Sequence, residues 1–187
     1  MAQSAVTKQK FICNTGYTLP QCQREMKALR PILDKYDAEA LGEWTWILVR
    51  SEDWRPLLHR LGGNPDSPAL TFLRERTTIF EEALVEPVPG RRAELLKIWQ
   101  LPLDHLVDEA VSHELGHSLC NDSDEARAER RGRALQRGEK PNCGDARQNP
   151  SERGIWAHFS PKQAFEGTSH SRVRPHAHNP SSVCFAQ

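Results

Sequence analysis

The sequence has no long hydrophobic run. Nowhere do 18 apolar residues follow one another, and the first 17 residues contain no apolar run of seven. A membrane-spanning helix needs about 20 apolar residues, and a secretory signal needs an apolar stretch of roughly 7 to 15 residues. Neither segment is therefore expected, and we expect a cytoplasmic protein that does not associate with membranes.

The chain also lacks a surplus of charge of either sign. Its 25 Lys and Arg residues balance its 25 Asp and Glu residues. No field of the whole protein would attract nucleic acid or an anionic membrane, so neither is an expected partner. The length of 187 residues suits one core with a tail. Nothing in the composition indicates the oligomeric state.

Cysteine is scarce and not arranged in pairs. The chain has five cysteines and no C-x-x-C motif. An odd number without such a motif favours reduced thiols over a disulfide framework. We expect Cys120 to pack as a small apolar residue. A bridge between Cys13 and Cys22 is the alternative if the protein is exported.

The middle of the chain contains a succession of helix and strand patterns. Apolar spacing and turn residues predict these elements. They are a helix over 20–36 that Pro31 kinks or splits, a strand over 44–51, a short helix after it, two strands within 69–85, a helix over 91–100, a longer helix from Pro102 to about Leu119, and a charged helix ending at Gly138. The order predicts an α+β fold with a small mixed sheet.

Composition divides the chain into three parts. Residues 1–19 are predicted to form an N-terminal extension, 20–138 a single domain, and 139–187 a loop-rich, partly disordered tail. Within the tail, only 154–165 is apolar enough to pack back on the domain. The tail histidines are expected to be solvated rather than to bind metal; they are His170, His176 and His178.

The stretch VSHELGHSLC, residues 111–120, contains the candidate metal-binding and catalytic residues. Side chains four residues apart in a helix point the same way, so His113 and His117 can bind one ion. Together with Glu114 they fall on the apolar half of the helix, where unpaired polar groups are costly unless a metal satisfies them. H-E-x-x-H predicts two zinc ligands and a glutamate that acts as general base.

The segment AVSHELGHSL resembles the active-site helix of zincin metallopeptidases, and the resemblance extends over about residues 20–137. It implies a zincin-like fold, in which a small mixed β-sheet packs on a backing helix and an active-site helix. It also implies one Zn²⁺ per chain, held by three protein ligands with a fourth position open. A metzincin would have glycine at 120 and histidine at 123, where this chain has Cys120 and Ser123.

The segment EARAE, residues 125–129, is similar to the E-x-x-A-D/N helix of gluzincins, minigluzincins and ImmA/IrrE relatives. The similarity implies that Glu125 is the third zinc ligand and that Glu129 orients a ligand histidine. Ala128 and Gly132 would let this helix approach closely. In the alternative interpretation, Glu125 only completes a capping box with Asp122 as N-cap. Asp122, Asp124 and Glu129 are the other ligand candidates.

The resemblance implies a zinc-dependent metallopeptidase, more specifically an endopeptidase. Glu114 would take a proton from water activated by the zinc and pass it to the leaving amine. The expected partner is a peptide or protein substrate, bound extended along a strand at about 77–83. The alternative is a zincin-fold regulatory or binding protein that acts on a protein partner without general proteolysis. A structural zinc module is disfavoured, because such sites are closed by four ligands.

Two secondary hypotheses concern further site residues. An oxyanion-stabilising group is required by the chemistry, and its candidates are Tyr17, His105 and His158. Cys143 lies in PNCG, which loosely resembles the latency segment of some secreted metalloproteases. There, a thiolate occupies the open zinc position. The alternative is a reduced surface cysteine.

Overall fold

A computed structural model describes residues 9–14 and 16–144. In this part of the chain four strands and five α-helices form an α+β fold with one mixed sheet, so the predicted fold class is confirmed. The strands are β1 (Gln9–Cys13), β2 (Trp44–Val49), β3 (Ala69–Phe72) and β4 (Thr77–Glu81). The helices are α1 (Leu19–Lys35), α2 (Ser51–Leu61), α3 (Arg91–Trp99), α4 (Leu103–Cys120) and α5 (Glu125–Gln136), with short 3₁₀ helices at Ala38–Leu41 and Glu82–Leu84.

The sheet has the strand order β1-β2-β4-β3. The first three of these strands run parallel, and β3 pairs antiparallel with β4 at the edge. Trp46 of β2 pairs with Phe11 of β1 and Thr78 of β4. Strand β1 lies in the segment predicted as an N-terminal extension, where no strand was expected. The domain boundaries themselves stay predictions.

Most helices lie where the sequence predicts them. Helix α1 begins with a capping box between Thr18 and Gln21, and it continues through Pro31 as one helix rather than two. Pro102 is the N-cap of α4. None of the helices in the described part combines the length and apolar character that a membrane crossing requires. The segment 154–165 lies outside the described residues.

The sheet is buried on both faces. Alternate strand residues point to opposite sides, so one face packs on α1 and α4 and the other on α2. Burial on both faces explains why WTWILV is apolar at every position except Thr45. The face toward α4 includes Trp46, Leu48 and Phe80, and the face toward α2 includes Ile47, Val49 and Ile79.

Two disulfides contradict the predicted reduced thiols. Cys13 of β1 is bonded to Cys22 of α1, and Cys120 at the end of α4 is bonded to Cys143. The Cα atoms of the two pairs are 5.8 and 5.1 Å apart, a separation that a disulfide bridges readily. The bridge between Cys13 and Cys22 is the one given above as the alternative. The pairing of Cys120 with Cys143 depends on proximity in the fold, which neither the odd number of cysteines nor the missing C-x-x-C motif could show. Cys184 lies outside the described residues.

Candidate metal centre

Helix α4 presents the two motif histidines side by side. The four-residue spacing brings the Nε2 atoms of His113 and His117 to 3.2 Å from each other. Glu114 and His117 are buried, as the helical wheel predicts. The polar residue Ser112 is also fully buried, because its side of α4 packs against α5.

A turn brings α5 back toward the histidines. Asn121 adopts the left-handed conformation that ends α4, and α5 begins four residues later at Glu125. The N-cap of α5 is Asp124, whose carboxylate accepts from the Arg127 backbone N–H at 2.8 Å. The capping box that would start at Asp122 is therefore not formed. The Glu125 carboxylate instead points at the histidines.

Helices α4 and α5 approach each other at backbone contact distance. A Cβ atom at Gly116 would lie 2.5 Å from the carbonyl oxygen of Ala128, and one at Gly132 would lie 3.1 Å from the backbone nitrogen of His113. Larger residues would push the helices apart and move Glu125 away from the histidines. The sequence indicated the role of Ala128 and Gly132, whereas it did not reveal that of Gly116.

The three predicted ligands converge on one point. Oε2 of Glu125 lies 3.0 Å from Nε2 of His113 and 3.5 Å from Nε2 of His117. Ligand atoms arranged tetrahedrally around zinc at about 2.0–2.1 Å lie about 3.3 Å from each other. The three distances match this spacing, and imidazole and carboxylate are ligands that zinc prefers. His113, His117 and Glu125 could therefore hold a metal ion.

Neighbouring groups orient both histidines. Nδ1 of His117 lies 2.7 Å from the carbonyl oxygen of Asp122. A carbonyl oxygen only accepts, so Nδ1 carries a hydrogen, and Nε2 is the nitrogen that can bind a metal once it is deprotonated. Nδ1 of His113 lies 3.5 Å from Oε2 of Glu129. Glu129 thus lies beside His113, the position that the similarity to gluzincins implies for it.

Two arginines of α5 hold the buried Asp122 carboxylate. Arg127 donates to both carboxylate oxygens, at 2.6 and 3.0 Å, and Arg131 donates at 2.7 Å. These hydrogen bonds hold the pKa of Asp122 well below its usual range, and the hydrogen bond from Arg127 has the largest effect. The carbonyl that orients His117 is thereby fixed. No sequence signal separates Arg131 from the other arginines of α5.

Glu114 lies beside the histidines but is not part of the candidate metal triad, which consists of His113, His117 and Glu125. Burial raises the pKa of its carboxyl group, although the nearby His117 and His113 act in the opposite direction. The Thr71 hydroxyl of β3 contributes a hydrogen bond to this side chain. Among the described residues, Oε2 of Glu114 has no hydrogen-bond partner. A buried unpaired oxygen at this position is suited to accept a proton.

The charges of the triad suit a cation. Hydrogen bonds from His113 and His117 hold the pKa of Glu125 well below its usual range. Burial lowers the pKa of His113, but the hydrogen bond to Glu125 and the charges of Glu114, Glu125 and Glu129 outweigh burial and raise it to about 9. The cluster therefore attracts positive charge, and Glu125 stays in the ionised form that binds metals.

The triad opens into a cleft of about 470 Å³ between α4 and the edge strand β3. Neither Tyr17 nor His105 lines it: Tyr17 is buried under Arg50, and His105 is exposed. Both oxyanion hypotheses are therefore wrong, and His158 lies outside the described residues. The cleft is lined by Gly62, Gly63, Asn64, Ser67, Pro68, Ala69, Leu70, Thr71, Leu73, Trp99, Leu106, Glu109, Ala110, His113, Glu114, His117, Ser123, Glu125 and Glu129.

The latency hypothesis for Cys143 is also wrong in this structure. Its sulfur is bonded to Cys120, so it provides no thiolate for the open metal position. The tail histidines lie outside the described residues.

Comparison of the chain with models of protein families, with curated proteins and with solved structures found no match. The likeness to zincins therefore rests on the H-E-x-x-H motif and the residues around it.

Proposed function

We propose that this protein is a zinc-dependent metallopeptidase of zincin type, with gluzincin-like ligands and endopeptidase activity. One observation carries the proposal: the ligand atoms of His113, His117 and Glu125 all lie within 4.8 Å of one another, in a cleft that also contains Glu114. Only Glu114 among these four residues is left without a role in metal binding. A general base is the role that its position and chemistry suit.

The ligand set supports zinc and a catalytic site. Two histidines and one carboxylate occur in catalytic zinc sites, whereas structural zinc sites are closed by four protein ligands. One zinc per chain would be held by His113, His117 and Glu125, and the cleft gives a substrate access to it. When bound, zinc would polarise a carbonyl oxygen and lower the pKa of a water molecule to about 7.

Glu114 would move the proton. Its unpaired Oε2 would take a proton from the attacking water and then give it to the nitrogen of the leaving amine. The burial that raises its pKa makes the carboxylate a stronger base than one in water. The hydrogen bond from Thr71 would hold the side chain toward the cleft.

The strand that would bind a peptide is β3, not the predicted strand at about 77–83. Strand β4 lies between β2 and β3, so both of its edges are already paired. The Glu81 N–H donates to the Pro68 carbonyl at 2.9 Å. Along an antiparallel strand, residues that are hydrogen-bonded to the neighbouring strand alternate with residues that are not. The backbone groups of Ala69 and Thr71 therefore point to the free edge beside the cleft. We propose that a substrate adds there as an extended strand.

The two disulfides argue against the predicted cytoplasmic location. Disulfides persist in oxidising compartments and are rare in the cytosol. Four of the five cysteines are paired in the structure. We therefore propose that the protein works in an oxidising compartment.

A digest of a mixed peptide library tests the proposed activity. Protein loaded with one equivalent of zinc is expected to create new peptide termini, which mass spectrometry detects. Protein stripped by a chelator should create none, and adding zinc back should restore cleavage. If the zinc-loaded protein creates no new termini, the peptidase proposal is wrong and the alternative, a zincin-fold protein that regulates or binds a protein partner, is favoured.

A further inference from the structure

The charged side chains that line the cleft, other than the two histidines, are all acidic. They are Glu109, Glu114, Glu125 and Glu129, and no Lys or Arg of the described residues lines the cleft. The chain as a whole has equal numbers of acidic and basic residues, so this surplus is local. Even with a divalent metal bound beside neutral histidines, the cleft keeps a negative charge. Its field therefore favours a cationic ligand.

Two of the four glutamates have ion-pair partners beside the candidate metal site, and a third is the proposed general base. Glu125 contacts both histidines and Glu129 pairs with His113 and Arg133, whereas Glu114 is buried beside the histidines. Glu109 is different, because it lies one helical turn before His113 and contacts neither ligand histidine through a hydrogen bond or ion pair. Its charge is thus available to a ligand in the cleft.

The Glu109 carboxylate is held in place but not neutralised. Its Oε2 accepts from Nε2 of Gln136 at 2.7 Å, and the same nitrogen lies 3.0 Å from the hydroxyl of Ser112. Within residues 9–14 and 16–144, no basic side chain forms an ion pair with Glu109. Since a neutral amide orients one oxygen, the other oxygen can accept a hydrogen bond from a cation.

Apolar side chains surround Glu109 on the same part of the cleft. Leu106, Ala110 and His113 share the face of α4 with Glu109, at helical spacing. Leu70 of β3 and Trp99 also line the cleft. Trp99 is 39% exposed, although tryptophan is highly buried on average. An apolar wall that ends at a carboxylate suits the aliphatic stem and charged head of Lys or Arg.

We propose that Glu109 is a specificity-determining residue that selects a Lys or Arg side chain of the substrate next to the scissile bond. The stem of that side chain lies along Leu106 and Ala110, and its charged head donates to the free oxygen of Glu109. This inference rests on the proposed peptidase function. It adds the substrate class: peptides with a basic residue at the cleavage position.

Peptide hydroxamates test the subsite through binding rather than cleavage. Three probes would differ only in the side chain next to the hydroxamate, which is Lys, norleucine or Glu. Zinc-loaded wild type is expected to bind the Lys probe about 10-fold more tightly than the norleucine probe, and the Glu probe most weakly. Glu109→Gln should remove the preference for Lys, and Glu109→Arg should favour the Glu probe. Glu52→Gln, far from the cleft on α2, is the matched control and should bind like wild type.

The outcomes separate the subsite from the metal centre. Equal affinity of wild type for the Lys and norleucine probes, or an unchanged preference in Glu109→Gln, would overturn the role of Glu109 and leave the metallopeptidase proposal standing. If none of the three probes binds to the zinc-loaded protein, the metal cleft itself is wrong and the proposed function fails with it.

Discussion

Replacing Glu114 by Gln is expected to slow peptide hydrolysis by about 100-fold or more while zinc stays bound. Gln has nearly the same size and can still interact with Thr71, so the cleft should keep its shape. Its amide cannot take a proton from the attacking water. The three ligands His113, His117 and Glu125 are unchanged by the substitution, and zinc affinity should therefore stay close to that of wild type.

The measurement compares cleavage rates at matched zinc occupancy. Glu52→Gln removes a carboxylate from an exposed site on α2 and serves as control, with a rate expected to equal that of wild type. Equal cleavage by Glu114→Gln and wild type would remove this carboxylate from the mechanism. A large loss of zinc from the variant would instead show that Glu114 supports the metal.

Removing the bridge between Cys120 and Cys143 is expected to lower the free energy of unfolding by about 3 kcal/mol. The bridge joins residues 23 positions apart, so it restricts a long loop of the unfolded chain. Its loss should also weaken zinc binding. The Asn142 carbonyl, next to Cys143, accepts from Arg131 at 3.1 Å, and Arg131 holds the Asp122 carboxylate behind His117.

The bridge between Cys13 and Cys22 provides the matched control. It closes a separation of nine residues between β1 and α1, and neither cysteine lines the cleft. Denaturant unfolding should show that the free energy of unfolding falls slightly less in the Cys13→Ser, Cys22→Ser protein than in the Cys120→Ser, Cys143→Ser protein. Zinc affinity, measured by competition with a chelator, should fall only in the Cys120→Ser, Cys143→Ser protein. If the Cys120→Ser, Cys143→Ser protein is as stable as wild type, the bridge between Cys120 and Cys143 does not form.

The two histidines of the candidate metal triad could be predicted because the information that places them is local. The spacing of His113 and His117 needs only helix geometry, and α4 is marked by apolar periodicity and by Pro102 at its start. Glu125 required more, since it lies on another helix. Its prediction depended on a similarity of EARAE to a known motif, and the short turn at Asn121 then brought it to the histidines.

Features that depend on distant parts of the chain could not be predicted. Strand β1 is five residues long and alternates only weakly, so it becomes recognisable as a strand only through its pairing with β2. The bridge between Cys120 and Cys143 depends on which cysteines the fold brings together, whereas the one between Cys13 and Cys22 is the alternative to reduced thiols given above. Two further contacts form only when α4 and α5 are packed together: Gly116 lies against Ala128, and Arg131 donates a hydrogen bond to Asp122.

The most direct test of the metal centre is a zinc titration that compares His117→Ala with His105→Ala. Both substitutions remove a histidine from α4, but His105 is exposed and does not line the cleft, whereas His117 is buried beside His113 and Glu125. Wild type and His105→Ala are expected to bind one zinc per chain with equal affinity. His117→Ala should bind zinc at least about 100-fold more weakly. Loss of a residue that contacts the metal lowers the affinity at least as much as loss of a residue that only orients a ligand. Equal zinc binding by the two variants, or no zinc in wild type, would contradict the metal site.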